Sequence, residues 1–132
     1  MNKLQGEIAS ISTEGNLSMV GILYRNILLK TIIIEKPGSV PYLRTGNKIN
    51  ILFKETEVVI GHDTDHKISL QNRIPCTIIK IERGKLLSKI ILSCFSEEIV
   101  SVISTHAVEQ LNLSIGKNVI AMIKTNEIML SE

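Results

Sequence analysis

The strongest constraint on this chain is that it is written twice. "ILFKETEVVI" at residues 51–60 and "AMIKTNEIML" at 121–130 stand seventy positions apart. Each is an apolar alternation that reaches a lysine, then a glutamate, then a second apolar run. With Asn2 placed on Asn72, Leu4 falls on Ile74, Ile8 on Ile78 and Ile11 on Ile81. A slip of one residue sets Gly15 on Gly84, Leu17 on Leu86 and Ile22 on Ile91. The offset of seventy then returns, with Gly46 on Gly116, Ile49 on Val119, Lys54 on Lys124 and Glu57 on Glu127. Glycines, lysines and apolar phase kept together mean two copies of one unit, and such self-similarity decides architecture before local propensity does. The first repeat occupies 1–61, a polar linker 62–71, and the second repeat 72–132.

Within each unit the apolar residues alternate at the strand period and are mostly β-branched, so the units are predicted to be β-rich. Residues 4–12 and 73–82 read as first strands, 17–25 and 85–94 as second, 27–35 and 97–104 as third. "TEGN" and "ERGK" are the first turns, with Gly15 and Gly84 expected at positive φ. In the second repeat, Ser104 or Thr105 is placed to cap a short helix over 106–113, with Val108 and Leu111 on its buried side. The first repeat has "KPGSVPYLRTG" there, whose prolines and glycines predict a turn or one loose helical turn. Gly46 and Gly116 open fourth strands with Ile49, Ile51 and Phe53 (Val119, Ala121 and Ile123) on one face. "EVVI" and "EIML" close the units. Five short strands with one helix between the third and fourth is the order of an OB-type barrel. The predicted fold is therefore all-β with one short helix, built as two tandem OB-like five-stranded barrels that exchange a strand across the linker.

Composition removes several function classes. No apolar run approaches the roughly 20 residues of a membrane-spanning helix, and the N-terminal stretch lacks the basic-then-apolar layout of a signal peptide, so a cytoplasmic location is expected. Cys76 and Cys94 form no metal or disulfide motif and are read as free thiols. A net charge of +2 is too small to announce nucleic acid. A single-strand-binding barrel also needs aromatic platforms, and the chain has only Tyr24, Tyr42, Phe53 and Phe95. No nucleophile elbow, catalytic triad spacing or nucleotide loop is present, so the expectation is no enzyme, no cofactor, no nucleic acid and no membrane. His62, Asp63, Asp65 and His66 in the linker are read as residues of a solvated loop rather than as metal ligands.

The order of these motifs resembles a known family. Ile68, Ser69 and Asn72 ahead of a strand, the run Leu111–Lys117 after the capped helix, and Lys124 at the end of the fourth strand are similar to the molybdate-binding Mop or TOBE domain. The pattern recurs once per repeat, as in stand-alone tandem Mop proteins of the molbindin type. The resemblance implies a cytoplasmic molybdate- or tungstate-binding protein for molybdenum storage or homeostasis, assembled as a homotrimer with sites at subunit interfaces. It names Ser69, Gln71, Asn72, Lys124, Thr125 and Asn126 in the second repeat, and Asn2, Lys54, Glu55 and Thr56 in the first. The chemistry agrees. A tetrahedral dianion needs hydrogen-bond donors with no acceptor opposing them, and hydroxyls, amide NH₂ groups and ammonium groups at element ends qualify, Ser104 and Thr105 included. The same residues also have ordinary readings as strand-end lysines, helix caps and loop formers. The chain departs from the pattern at Gln71, where many relatives carry arginine (Arg73 lies close by), and at Glu55, a carboxylate beside Lys54. The alternative is a TOBE-type interaction module without a ligand.

Overall fold

The computed structural model describes residues 1–132. Its elements follow the repeat. In the first unit β1 (Asn2–Glu14), β2 (Leu17–Tyr24), β3 (Ile27–Ile33), β4 (Lys48–Phe53) and β5 (Val59–His62) run in order, with a 3-10 turn at Glu55–Glu57. In the second, β6 (Asn72–Arg83), β7 (Leu87–Cys94), β8 (Glu97–Ser104), α1 (Thr105–Gln110), β9 (Asn118–Ile123) and β10 (Met129–Ser131) repeat the plan, with a 3-10 turn at Thr125–Glu127. The protein is all-β with one short helix, and its strands form two five-stranded sheets.

Neither sheet is made from one repeat alone. The first runs β10-β4-β1-β2-β3 and the second β5-β9-β6-β7-β8. Each takes its fifth strand from the other unit, through the pairs Leu130–Ile51 and Ile60–Ala121. The expected exchange is present. Its physical reason is size: a unit of sixty-odd residues buries too little surface to be comfortable alone. Here one apolar cluster runs through both units, from Leu4, Ile22, Ile51 and Phe53 to Ile74, Leu92, Val119 and Ile123.

Polar side chains close the barrels at matching places. On the free edge of β3, the Asn72 amide accepts from Lys30 N–H at 2.7 Å and donates to Lys30 C=O at 2.8 Å. Seventy residues displaced, Asn2 does the same to Val100 on β8, at 2.8 Å in both directions. The Thr31 hydroxyl donates to Ile128 C=O, and the Ser101 hydroxyl to Val58 C=O, each at 2.7 Å. Each barrel thus shuts where its third strand meets the segment entering the exchanged strand. An amide that both donates and accepts stands in for a backbone partner on an edge that would otherwise be open.

Two expectations are corrected. The one-residue slip does not extend into the second strands: β2 and β7 pair with the same offset of seventy, Thr13 opposite Ser18 and Arg83 opposite Ser88. The slip is confined to the turn, because β6 ends one residue sooner and its turn is one residue longer. Gly84, moreover, is not among the glycines with positive φ, whereas Gly15 is, at 60°. Gly84 is required by close approach instead, since its N–H donates to Leu87 C=O at 2.9 Å and a Cβ would lie 2.4 Å from that oxygen. The segment 36–46 forms turns and no helix, pinned by a fully buried Leu43.

Candidate functional site

The register between β6 and β9 builds the second-repeat cluster. Asn72 pairs with Ile123, so Gln71 and Lys124 are the residues just beyond the ends of these adjacent strands. Chain direction then carries Ser69 and the Thr125–Glu127 turn to the same end. Ser69, Gln71, Lys124 and Asn126 are exposed and Thr125 is half-buried. All five offer donors, and none of their side chains is taken up by a hydrogen bond within the chain. Asn72 differs. It is 1% exposed, and its amide is held by Lys30, so within this chain it positions the cluster against β3.

The first-repeat cluster follows the same register, Asn2 opposite Phe53, which sets Met1 beside Lys54. Lys54 and Thr56 are exposed, and Asn2 is buried and held by Val100. Glu55 is the one carboxylate among the named residues, and its Oε2 lies 3.7 Å from the amino group of Met1. That contact is partly solvated, so it holds the carboxylate only weakly.

Ser104 and Thr105 are not brought to Lys124. They lie where β8 enters α1, with β6 and β7 between β8 and β9 in the sheet. Ser104 is the cap: its hydroxyl oxygen accepts from Ala107 N–H at 3.1 Å, which leaves its own hydrogen free to donate. Thr105 is buried. Its hydroxyl donates to Gly84 C=O at 2.8 Å and lies 2.8 Å from the Ser88 hydroxyl.

Arg73 does not replace the charge missing at Gln71. Its guanidinium donates to the carbonyls of Leu70, His66 and Ile68 and lies 3.5 Å from Asp65, so it fastens the linker. In the same linker the His66 ring sits 2.9 Å from the His62 carbonyl oxygen, and no three His, Cys, Asp or Glu side chains converge anywhere in the chain.

Sequence reasoning missed a second polar network, on the pseudo-dyad between the repeats. Tyr24 donates to Glu97 Oε1 at 2.7 Å, and Arg25 lies 3.1 Å from the same oxygen. The hydrogen bond from Tyr24 lowers the Glu97 carboxyl below its ordinary value, helped by Arg25. Burial pushes the Tyr24 phenol up, and Glu97 adds to the shift. No local pattern points to it, because Glu97 lies 73 residues from Tyr24, on the other repeat.

Interlocked five-stranded barrels, each completed by a fifth strand from the other repeat, define a tandem OB-like module. A TOBE domain model matches residues 68–130. Among solved structures, a molybdate-binding protein from Sporomusa ovata is 30% identical over its entire length, aligned to 51% of this chain with a TM-score of 0.50. That is the span of one repeat. The cytoplasmic molybdate-binding protein ModG, solved with molybdate bound, aligns over 98% of this chain and 94% of its own, with a TM-score of 0.91 and 22% identity. A comparison with curated protein sequences finds no match. The chain belongs to the Mop/TOBE domain family.

Proposed function

We propose that the chain binds a tetrahedral oxyanion of the molybdate and tungstate class, without enzymatic turnover, in molybdenum storage or homeostasis in the cytoplasm. The observation that carries this reading is the second-repeat cluster. Ser69, Gln71, Lys124, Thr125 and Asn126 present donors at one end of β6 and β9, with no hydrogen-bonded acceptor among them. The two structures named above are of molybdate-binding proteins, which supports the same chemistry here.

The roles follow from what each group has free. The Lys124 ammonium supplies the charge, and hydroxyls and amides supply orientation. Asn72 and Asn2 hold their clusters against the other repeat. Lys54 and Thr56 form the weaker site, because Glu55 stands beside them. Ser104 joins a Lys124 cluster only from another chain, which suits an assembly with sites at subunit interfaces, and Thr105 anchors the turn from which Ser104 projects. The first repeat exposes Leu17, Leu23, Leu28, Ile32 and Ile34, apolar side chains that a neighbouring chain would cover. A homotrimer is the proposed assembly.

The test is a thermal shift with molybdate, tungstate, sulfate and phosphate. A ligand that binds only the folded state raises the midpoint, so molybdate and tungstate should raise it more than sulfate or phosphate. Indifference to all four would leave a ligand-free interaction module.

A further inference from the structure

The two clusters share a backbone and differ at one telling side chain. Lys54 and Lys124 have the same extended conformation, φ −72° and ψ 147° against φ −68° and ψ 145°. Each lysine carbonyl accepts from the glutamate N–H three residues on, Glu57 or Glu127, at 3.0 Å. The turns Glu55–Glu57 and Thr125–Glu127 therefore present equivalent positions alike. Glu55 stands where the second repeat has Thr125, and both are half-buried. Glu57 and Glu127 match each other, so they do not distinguish the clusters. The Glu55 carboxylate is turned toward its cluster. Its Oε2 lies 3.7 Å from the Met1 amino group, and the register of β1 and β4 sets Met1 beside Lys54. Where the second cluster has a hydroxyl that can donate, the first thus has a carboxylate that only accepts.

We propose that the first cluster is a site for inorganic phosphate, selected by Glu55 over anions that carry no proton, a proposal that rests on the reading of both clusters as oxyanion sites. Molybdate, tungstate and sulfate at neutral pH have acceptors only. At the first cluster they meet Glu55 acceptor to acceptor and negative to negative. Inorganic phosphate keeps at least one proton at neutral pH. Its hydroxyl donates to Glu55 while its other oxygens accept from the Lys54 ammonium and the Thr56 hydroxyl, both exposed. An O–H to carboxylate bond of this kind is short and strong. Shape does not supply the discrimination, since phosphate and sulfate are both small tetrahedra. Phosphate esters lose their second proton near a pKa of about 6, so at neutral pH most lack the hydroxyl and are not the ligand. The two repeats then divide oxyanions by protonation, with proton-free anions at Lys124 and protonated ones at Lys54.

The experiment is calorimetric titration of inorganic phosphate, sulfate and glycerol phosphate into the full chain, its Glu55→Thr variant and its Lys54→Ala variant. It is run at about pH 8, where the ester has lost its second proton. Phosphate should bind the wild type roughly ten- to a hundredfold more tightly than sulfate or the ester, the discrimination of one hydrogen bond to a charged group. Glu55→Thr should bring phosphate and sulfate level, and Lys54→Ala should weaken phosphate binding. Four results would overturn the proposal: no phosphate binding, phosphate and sulfate bound alike by the wild type, a preference that survives Glu55→Thr, or phosphate binding indifferent to Lys54→Ala. The second repeat carries threonine at this position on the same backbone, and the wild-type comparison of phosphate with sulfate decides even if a variant folds poorly. Molybdate titration reads the parent proposal separately. Molybdate bound without a phosphate preference refutes only this site, and a Glu55-dependent phosphate preference without molybdate binding refutes only that one.

Discussion

Tyr24 and Cys94 hold the same position in the two repeats and touch each other, phenol oxygen to thiol sulfur at 3.7 Å. Residues equivalent under a duplication meet only on its symmetry axis, so this contact marks the pseudo-dyad. The duplication is imperfect there by design of volume. Tyr24 sits opposite Gly6, and Cys94 opposite Cys76, so a large-and-small pair in one barrel matches two middle-sized residues in the other. Gly6 has no room for a side chain, since a Cβ would lie 2.8 Å from the Leu23 carbonyl oxygen.

Tyr24→Phe should lower stability by about 1 kcal/mol, because it removes a hydrogen bond to a carboxylate that Arg25 and solvent still reach. It should also alter the acid limb. The Glu97 carboxyl is lowered in the folded state from its ordinary 4.5. Its contribution is therefore present above that value and lost as pH falls through the lower folded one. Urea unfolding at pH 7 and below 4.5 should show a steeper acid loss in the wild type than in Tyr24→Phe. Parallel curves would remove the link.

Asn72→Ala should cost about 1–3 kcal/mol, since it strands the Lys30 N–H and C=O on the β3 edge without partners. Asn2→Ala, its counterpart at Val100, should cost a similar amount. Chemical denaturation of the two variants checks this. A neutral result for either would mean that water replaces the amide.

The strands and core faces of both repeats were legible because each strand has one buried face. Ile49, Ile51 and Phe53, and Val119, Ala121 and Ile123, are buried as their alternation required. The helix cap was legible too, since Ser104 has the right type in the right place. The turn slip was misread because a glycine can serve a turn by φ or by close approach, and sequence does not distinguish the two. Asn2 and Asn72 carried the least readable role. Their side chains resemble ligands by type and position, but their partners lie 98 and 42 residues away on the other repeat, where no local pattern points. Arg73 was hidden in the same way, because its carbonyl partners belong to an irregular linker.

Removing residues 129–132 should open the first barrel rather than the second, because β10 pairs with β4 at Leu52, Ile51 and Asn50. Hydrogen exchange should accelerate at the β4 amides before those of β9. Equal acceleration in both sheets would show that the exchanged strands do not act barrel by barrel.

The most direct measurement is calorimetric titration of molybdate into the wild type and Lys124→Ala. A charge-assisted contact to the anion contributes about 1.5–3 kcal/mol, so Lys124→Ala should bind roughly ten- to a hundredfold more weakly. Its unfolding midpoint without ligand should match the wild type, because Lys124 is exposed and holds none of the core. A wild type that takes up no molybdate, or a Lys124→Ala protein that binds it as tightly as the wild type, would contradict an oxyanion site at the Lys124 cluster.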